Sequence, residues 1–330
     1  MNDLYKTLTP DLKKLDDVIL SFLREPNVPF IEDISHHLIL AGGKRIRPLL
    51  LFLTARLYQE TLSERVLRLG ACLEFIHTAT LLHDDVVDQS LERRGKTTAH
   101  ALWGNQASIL VGDFLFSRAF ELMVHDGSLD VFSVLSQAAS QISKGELLQL
   151  ATIRTLQLSE EKYLSIIGAK TASLFSAAAE LGAIANDAPS KDRNSLKSFG
   201  YTLGLLFQIK DDLLDFYADQ KTTGKTPGND LKEGKMTLPL ILAYKNGTPT
   251  QQALIEMTLK DEALFDKNFP KIQEILQEVK VKELLRSFIK PLHQQALSIL
   301  ALASSTNTQF LKEMCAFQIA HLENSSYDVL

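Results

Sequence analysis

The sequence predicts an all-α fold, with residues 1–330 forming one domain. Two observations lead to this prediction: long segments repeat apolar residues at helical spacing, and the sequence lacks clean runs of alternating apolar and polar residues bounded by hairpin turns. Hydrophobic residues make up 45% of the chain and charged residues 23%, which is enough apolar surface for a substantial core. No low-complexity tract or linker divides the sequence.

Five regions account for most of the predicted helix. Residues 66–82 form an apolar stretch without a helix breaker, and residues 107–124 repeat large apolar side chains at helical spacing. Residues 162–186 are rich in Ala, Leu and Ser, and their small side chains permit close helix packing. Residues 195–217 form another long apolar pattern, and amphipathic helices are expected from Thr250 onward.

Polar segments separate these helices at residues 89–98, 126–127, 186–194 and 219–237. The last segment contains three glycines and a proline, so it is predicted to be a loop rather than a helix. Its many Lys and Asp residues indicate a segment that is solvated or that covers a ligand.

Charge and cysteine content exclude several kinds of protein. A formal net charge of −5 gives no general attraction for phosphate, so nucleic-acid binding is not expected. Cys72 and Cys315 lie far apart in apolar patterns, without metal-site spacing, and are expected to be buried thiols in a reducing cytoplasm. The first residues lack a signal-peptide pattern, and no apolar stretch has the length of a membrane span.

The segment from His83 to Asp88 places three carboxylates at the end of an apolar helix. Asp84 and Asp88 are four residues apart, and Asp85 and Asp88 are three apart, so both pairs lie on nearly one helix face. Carboxylates this close repel one another, and a divalent cation would offset that repulsion. Magnesium is commonly held by one or two carboxylates together with substrate phosphates. The segment is therefore a candidate magnesium site.

The same spacing recurs at Asp211, Asp212 and Asp215, again at the end of an apolar helix. A single acidic cluster is most often an exposed helix end, but two clusters with one spacing favour metal binding. An EF-hand loop is disfavoured, because its Gly and Glu positions are not filled.

Basic residues accompany both acidic segments. They are Arg93, Arg94 and Lys96 after the first, Lys225, Lys232 and Lys235 after the second, and the upstream run Gly42-Gly43-Lys44-Arg45-Ile46-Arg47-Pro48. Each run alone is typical of a solvated surface, and Lys232 is interpreted in that way. Together they suit a diphosphate held by cations on one side and guanidinium groups on the other. The two glycines would let backbone N–H groups approach phosphate oxygens.

His77 lies in the helix that leads to the first acidic segment. A lone histidine on an apolar helix is usually a core residue. This one stands seven residues before Asp84, two turns back on a similar face, which favours a role as a ligand to the substrate.

These motifs stand in the order GGKRIRP, LLHDDVVD with RRG behind it, AKTASLF, FQIKDDLLD and GKTPGNDLKEGK. In that order they resemble the trans-isoprenyl diphosphate synthases, also called the polyprenyl synthetase family, over roughly residues 41–239. The segment 74–85 is most similar to the bacterial octaprenyl diphosphate synthases of quinone biosynthesis. The resemblance implies one helical bundle around a central cavity, a homodimer, and three magnesium ions in each active site.

The resemblance also implies roles for individual residues. Metal ligands would be Asp84, Asp88 and Asp211, with Asp85, Asp212 and Asp215 supporting them. The allylic diphosphate, expected to be farnesyl diphosphate, would be bound by Arg93, Lys170 and Lys225. Isopentenyl diphosphate would be bound by Lys44, Arg47, His77 and Arg94. The reaction centre would be lined by Thr171 and Gln208.

The implied reaction lengthens the allylic chain by repeated addition of isopentenyl diphosphate. Many members of the family end in a short basic tail that closes over isopentenyl diphosphate, whereas residues 323–330 of this chain contain no Lys or Arg. This departure concerns the affinity for isopentenyl diphosphate and leaves the reaction class unchanged.

Product length in this family depends on residues just before the first aspartate motif. Ala79 and Thr80 stand five and four residues before Asp84. Both are small, which predicts a deep tunnel and a long product, although simple helix packing also favours small residues. Phe120 and Met123 are the candidates for the floor of the tunnel.

Three alternatives remain open at this point. A shorter-chain synthase that makes geranylgeranyl diphosphate is disfavoured by the small residues at 79 and 80. A non-catalytic subunit of a prenyltransferase would usually lack aspartates of one motif, and both sets are present here. A terpene cyclase would not need the second diphosphate site formed by the GGKR run and Arg94.

Overall fold

The computed structural model describes residues 2–39, 43–93, 95–217, 227–300 and 306–323. Helices make up 81% of the structure, with almost no strand, which confirms the predicted all-α class. The helices of the first half are α1 (Asn2–Leu23), α2 (Pro29–Ile39), α3 (Ile46–Ala55), α4 (Glu64–Val87), α5 (Ala99–Trp103), α6 (Asn105–Asp126) and α7 (Leu129–Leu150). Those that follow are α8 (Glu160–Ile167), a π-helix (Gly168–Ala172), α9 (Ser173–Ile184), α10 (Ser190–Tyr217), α11 (Asn229–Lys232), α12 (Leu238–Asn246), α13 (Pro249–Lys260), a 3-10 turn (Glu262–Leu264), α14 (Phe265–Glu278), α15 (Val281–Leu300) and α16 (Thr306–Glu323).

Side-chain caps explain where several helices begin. The hydroxyl of Ser63 accepts a hydrogen bond from the backbone N–H of Val66 at the start of α4, and Ser159 does the same for Lys162 at the start of α8. At α13, Thr248 and Gln251 form a capping box with a proline in the first turn. Such caps pair N–H groups that have no partner within the helix.

The predicted helices are present, with two differences. The polar break predicted at residues 186–194 ends earlier than expected, because α10 already begins at Ser190. Residues 66–82 lie in α4, residues 107–124 in α6, and residues 195–217 in α10. The segment 162–186 is mainly helical, as predicted, but it is divided into α8, the π-helix and α9. The sequence does not reveal this division, because a change from four-residue to five-residue hydrogen bonding leaves no mark on apolar spacing. Of the predicted loop 219–237, the described part begins at Pro227 and includes the short helix α11.

The polar segment 89–98 forms a small β-hairpin. Strands β1 (Glu92–Arg93) and β2 (Lys96–Thr97) pair antiparallel, and Gly95 in the turn has φ +72°, which favours glycine. Two residues per strand are too few to leave an alternating pattern in the sequence. Side chains fix the hairpin and its flank: His37 Nε2 lies 2.7 Å from the carbonyl oxygen of Thr97, and His100 Nε2 lies 2.8 Å from that of Ser90.

Contacts group the chain into two compact units, each built from several stretches of sequence. The first unit comprises residues 1–139, 174–200 and 300–313, and the second comprises residues 140–173, 201–299 and 314–330.

In the first unit, α4 packs mainly against α6 and also contacts α1 and α3. The largest fully buried side chains of this unit are Phe52, Phe75, Phe175 and Phe199. Close helix packing depends on small residues: a Cβ at Gly182 would lie 2.1 Å from the Thr54 hydroxyl. The thiol of Cys72 is buried in this core, as expected.

In the second unit, Phe216 of α10 is fully buried and stacks on Phe269 of α14. Gly228, with φ +79°, brings the backbone after residue 226 against the same ring, because a Cβ there would lie 2.2 Å from it. The start of α11 is therefore fixed against the core of this unit. Among the helices of the described residues, none is long and apolar enough to cross a membrane.

Candidate active site

The first aspartate segment presents different carboxylates to two sides of α4. Thr78, Leu82 and Asp85 follow one another at helical spacing on the buried side of the helix. The part-exposed side carries a second row, at positions 77, 80, 84 and 88. His77 therefore shares a helix face with Asp84 and Asp88, as the sequence predicts.

Asp85 is fully buried and forms an ion pair within the first unit. Nε of Arg93 in β1 donates a hydrogen bond of 2.7 Å to its Oδ1. Burial raises the pKa of the Asp85 carboxyl, and the nearby Arg93 acts in the opposite direction. The middle aspartate therefore holds the hairpin to the end of α4, and Arg93 lies beside the first aspartate segment.

The three cations of the GGKRIRP run have three different environments. Arg45 is in the left-handed conformation (φ 44°), and its guanidinium reaches Glu74 at 2.5 Å and Asp16 at 3.2 Å. These partly buried ion pairs help offset the backbone strain of a non-glycine residue at positive φ. Lys44 is exposed, and the guanidinium of Arg47 lies 4.9 Å from the centre of the Phe175 ring. Arg45 thus fixes the turn from which Lys44 and Arg47 project.

The chain-length candidates differ in their exposure. Ala79 is fully buried in α4, and Met123 of α6 is buried as well. Thr80 is half-buried, and its hydroxyl donates to the carbonyl oxygen of His77 at 2.7 Å. Phe120 is 44% exposed, on the outward side of α6, so the structure does not place it in the interior of the first unit.

The three carboxylates of the second aspartate segment have different environments. Asp211 is exposed, whereas Asp212 is buried. Asp215 accepts hydrogen bonds from the backbone N–H groups of Asn229 and Asp230, at 3.2 and 3.1 Å, and so caps α11. Asp211 is the carboxylate of this segment that is accessible to a cation from solvent.

A chain of hydrogen bonds connects Asp212 to the residues predicted to line the reaction centre. The Thr171 hydroxyl donates to Oε1 of Gln208 at 2.8 Å, and Nε2 of Gln208 donates to Oδ1 of Asp212 at 2.7 Å. The Tyr163 hydroxyl donates to Oδ2 of Asp212 at 2.6 Å. Burial raises the pKa of Asp212 to about 8, with a further contribution from Asp230. Burial also raises the pKa of Tyr163 well above its ordinary value.

Lys170 and Thr171 lie in the π-helix, which packs closely against α7. Nζ of Lys170 forms an ion pair of 2.7 Å with Glu146, and a Cβ at Gly145 would lie 2.5 Å from the backbone nitrogen of Lys170. Single π-helical turns inside helices are frequent at functional sites. Here the turn places an ammonium group and a hydroxyl side by side.

These residues surround a cavity of about 110 Å³ in the second unit. Its lining includes Tyr163, Lys170, Thr171, Gln208 and Asp212. Lys235 also lines it and is paired with Glu233, while Lys232 is exposed, in agreement with its interpretation as a solvated residue. Predicted residues of the second motif and of the AKTASLF motif therefore converge on one cavity.

The donor atoms of the two segments suit magnesium. Within the described ranges, no three His, Cys, Asp or Glu side chains are close enough to hold a metal ion by themselves. Asp84 and Asp88 on one helix face, and Asp211 separately, offer oxygen ligands that are partly or fully exposed. A cation bound there would need further oxygens, as from phosphate and water, which is the usual coordination of Mg²⁺ with phosphorylated substrates.

Some predicted site residues lie outside the described ranges, and some residues that form the site were not predicted from the sequence. Arg94, Lys225, Gly42 and the segment 324–330 belong to the first group. Tyr163 and Glu146 belong to the second, because a single tyrosine or glutamate in a helix carries no sequence signal. Only its spatial partners show what it does.

An all-α fold with two DDxxD-type segments, each accompanied by basic residues, defines a class of helical enzymes that bind diphosphate esters through divalent cations. The chain belongs to the polyprenyl synthetase family, whose model matches residues 28–278. Members of this family depend on Mg²⁺. The octaprenyl diphosphate synthase of Escherichia coli is 44% identical over 250 residues, which cover 76% of this chain and 77% of that protein.

Solved structures agree with the family assignment. A decaprenyl diphosphate synthase from Rhodobacter capsulatus matches with a TM-score of 0.90 and 36% identity, over 98% of this chain and 99% of that one. A polyprenyl synthase from Caulobacter crescentus, complexed with calcium and isoprenyl diphosphate, matches with a TM-score of 0.91 and 38% identity, over 97% of both chains.

Proposed function

We propose that the protein is a long-chain trans-polyprenyl diphosphate synthase that condenses farnesyl diphosphate with successive isopentenyl diphosphates. Octaprenyl diphosphate is the proposed product, and a quinone side chain is its proposed use. The observation that carries the proposal is the occurrence of both aspartate segments, complete, in a chain so similar to long-chain synthases. A non-catalytic subunit would have little reason to keep both.

The proposed ligands of Mg²⁺ are Asp84, Asp88 and Asp211, with three ions per active site. When bound, the ions neutralise charge that develops on the departing diphosphate. Arg93, Lys170 and Lys225 are proposed to hold that diphosphate, and charged donors of this kind stabilise a leaving group most when they are fixed in advance. The ion pairs of Arg93 with Asp85 and of Lys170 with Glu146 supply such fixation.

The second substrate is proposed to bind to Lys44, Arg47, His77 and Arg94. The bond between the allylic carbon and the diphosphate oxygen breaks, and the double bond of isopentenyl diphosphate forms the new carbon–carbon bond. A proton then leaves the isopentenyl unit for the released diphosphate, which becomes its base. Apolar walls must exclude water, because water would capture the allylic cation.

A homodimer in the cytoplasm is part of the proposal. Leu110, Phe120 and Val124 recur on one face of α6 and are 66%, 44% and 71% exposed. Large apolar side chains aligned on one face favour a protein–protein contact, and a second copy of the chain is the proposed partner. Light scattering after gel filtration would measure the mass; a monomer at micromolar concentration would contradict this part.

One assay tests the reaction class and the product together. The purified protein is incubated with Mg²⁺, farnesyl diphosphate and labelled isopentenyl diphosphate, and the products are sized by chromatography. Octaprenyl diphosphate is expected. Geranylgeranyl diphosphate would establish the shorter-chain alternative, and the absence of any elongated product would contradict the proposed activity.

A further inference from the structure

We propose that Tyr163 and Asp212 are positioning residues that, through Gln208, set the direction of the Thr171 hydroxyl. This inference rests on the proposed prenyl transfer and adds two residues to its machinery. It also gives Asp212 a role other than metal binding, since both of its oxygens are already engaged by donors from the protein.

Hydrogen-bond chemistry fixes the direction of the chain. The Thr171 hydroxyl lies 2.8 Å from Oε1 of Gln208, and because a carbonyl oxygen can only accept, the hydroxyl must donate. The amide nitrogen then faces Oδ1 of Asp212 at 2.7 Å. In this orientation each end of the amide meets a complementary partner, a hydroxyl donor at Oε1 and a carboxyl oxygen acceptor at Nε2.

Tyr163 completes the chain at the far oxygen of Asp212. The Tyr163 hydroxyl donates to Oδ2 at 2.6 Å, which holds the carboxyl group in the orientation that presents Oδ1 to the Gln208 amide. Phenylalanine at position 163 would remove this contact, and the carboxyl group could then rotate away from Gln208.

Burial makes the arrangement rigid. Tyr163, Asp212 and Thr171 are nearly inaccessible to solvent and Gln208 is half-buried, so water competes little for these hydrogen bonds. The Thr171 hydroxyl hydrogen is committed to Gln208, which leaves the oxygen lone pairs as its remaining polar function. Thr171 lines the cavity with Lys170, and a fixed lone pair there stabilises positive charge that develops on an allylic carbon.

A double-mutant cycle distinguishes positioning from general support of the fold. We expect Tyr163→Phe to lower kcat by about 10- to 100-fold, with KM for both diphosphates unchanged, as for an interaction made in the transition state. Thr171→Val, which keeps the shape but removes the hydroxyl, should lower kcat to a similar extent. Because both changes act on one hydroxyl, adding Tyr163→Phe to Thr171→Val should have no further effect.

Two further variants serve as controls for the cycle. In a Thr171→Ser background the hydroxyl is retained, so Tyr163→Phe should again lower kcat. Tyr244→Phe, in α12, removes a hydroxyl that is not part of the chain and should leave kcat unchanged. Multiplicative losses in the Tyr163→Phe/Thr171→Val double variant would overturn the proposal, as would a kcat for Tyr163→Phe equal to that of the parent protein.

The experiment distinguishes failure of the positioning role from failure of the proposed function. A parent protein without prenyl transfer would contradict the function itself, whereas an active parent with an unaffected Tyr163→Phe variant would contradict only the positioning role. Circular dichroism checks folding of every variant. If Tyr163→Phe is unfolded, Asp212→Asn replaces it in the same cycle, because it changes the partner of Gln208 and leaves the Tyr163 ring in the core.

Discussion

Nε of Arg93 donates a hydrogen bond of 2.7 Å to Oδ1 of Asp85, the middle carboxylate of the first aspartate segment. Asp85 is fully buried, while Asp84 and Asp88 lie on the part-exposed face of the same helix. The segment therefore combines two carboxylates that can reach a cation with one that fixes the following hairpin. Proposed substrate binding by Arg93 depends on this attachment.

Removing Arg93 should destabilise the protein. Arg93→Met leaves the buried Asp85 carboxylate without its cation, and breaking a buried pair in this way costs about 3 kcal/mol of unfolding free energy. Denaturant unfolding measures the change. Glu256→Gln, which breaks the exposed pair with Lys260, is the control and should cost less than about 0.5 kcal/mol. Equal losses of unfolding free energy in the two variants would show that the Arg93–Asp85 pair stabilises the protein no more than an exposed pair does.

The accessible aspartates should control catalysis rather than folding. Asp84→Ala and Asp211→Ala should each lower turnover at least about 1,000-fold, because each removes a proposed ligand of the cation that would assist ionisation of the diphosphate. Product formation at saturating Mg²⁺ measures the loss, and thermal unfolding without Mg²⁺ should change little. Near-normal turnover in either variant would contradict its assignment as a metal ligand.

Ala79→Tyr separates a tunnel wall from ordinary helix packing. If the small side chain borders a product tunnel, the variant should remain folded and release products shorter by several isoprene units. If Ala79 only fills the core, the larger ring should destabilise the fold by about 1–3 kcal/mol without shortening the product. Chromatography of the products measures their length, and denaturant unfolding of the same preparation measures the change in stability.

Gly145→Ala tests the packing of the π-helix. The new Cβ would lie 2.5 Å from the backbone nitrogen of Lys170 and must displace the segment that carries Lys170 and Thr171. A loss of about 10- to 100-fold in kcat is expected from such a displacement. Gly70→Ala is the control, because its Cβ meets only side-chain atoms, at 3.1 Å and beyond, and should leave kcat unchanged. Similar rates for both variants would show that this contact does not fix the site.

Asp212 should make the stability of the metal-free protein depend on pH. Its pKa is raised from 3.8 to about 8, so the folded state holds a proton that the unfolded state has lost. The resulting stabilisation is complete below about pH 4 and disappears as the pH rises through 8. The Asp212→Asn variant has no carboxyl to titrate at this position, so its Tm minus that of the parent should increase between pH 5 and 8. Parallel curves would contradict a raised pKa.

The sequence by itself determined the helical class, the position of the long helices and the two acidic segments. Apolar spacing reports which side of a helix is buried, and the interval between carboxylates on a helix fixes whether they share a face. For that reason Asp84, Asp88 and His77 could be placed on one face of α4 before any coordinates.

Only the tertiary structure decided which of these carboxylates are accessible and which are buried. Asp85 and Asp212 are adjacent in sequence to the predicted metal ligands Asp84 and Asp211, but each is buried and paired with a side chain from another element, Arg93 and Tyr163. The roles of Arg45, Glu146 and Gly145 likewise depend on contacts between separate helices. Sequence spacing describes one helix at a time, whereas burial and pairing are set by what packs against it.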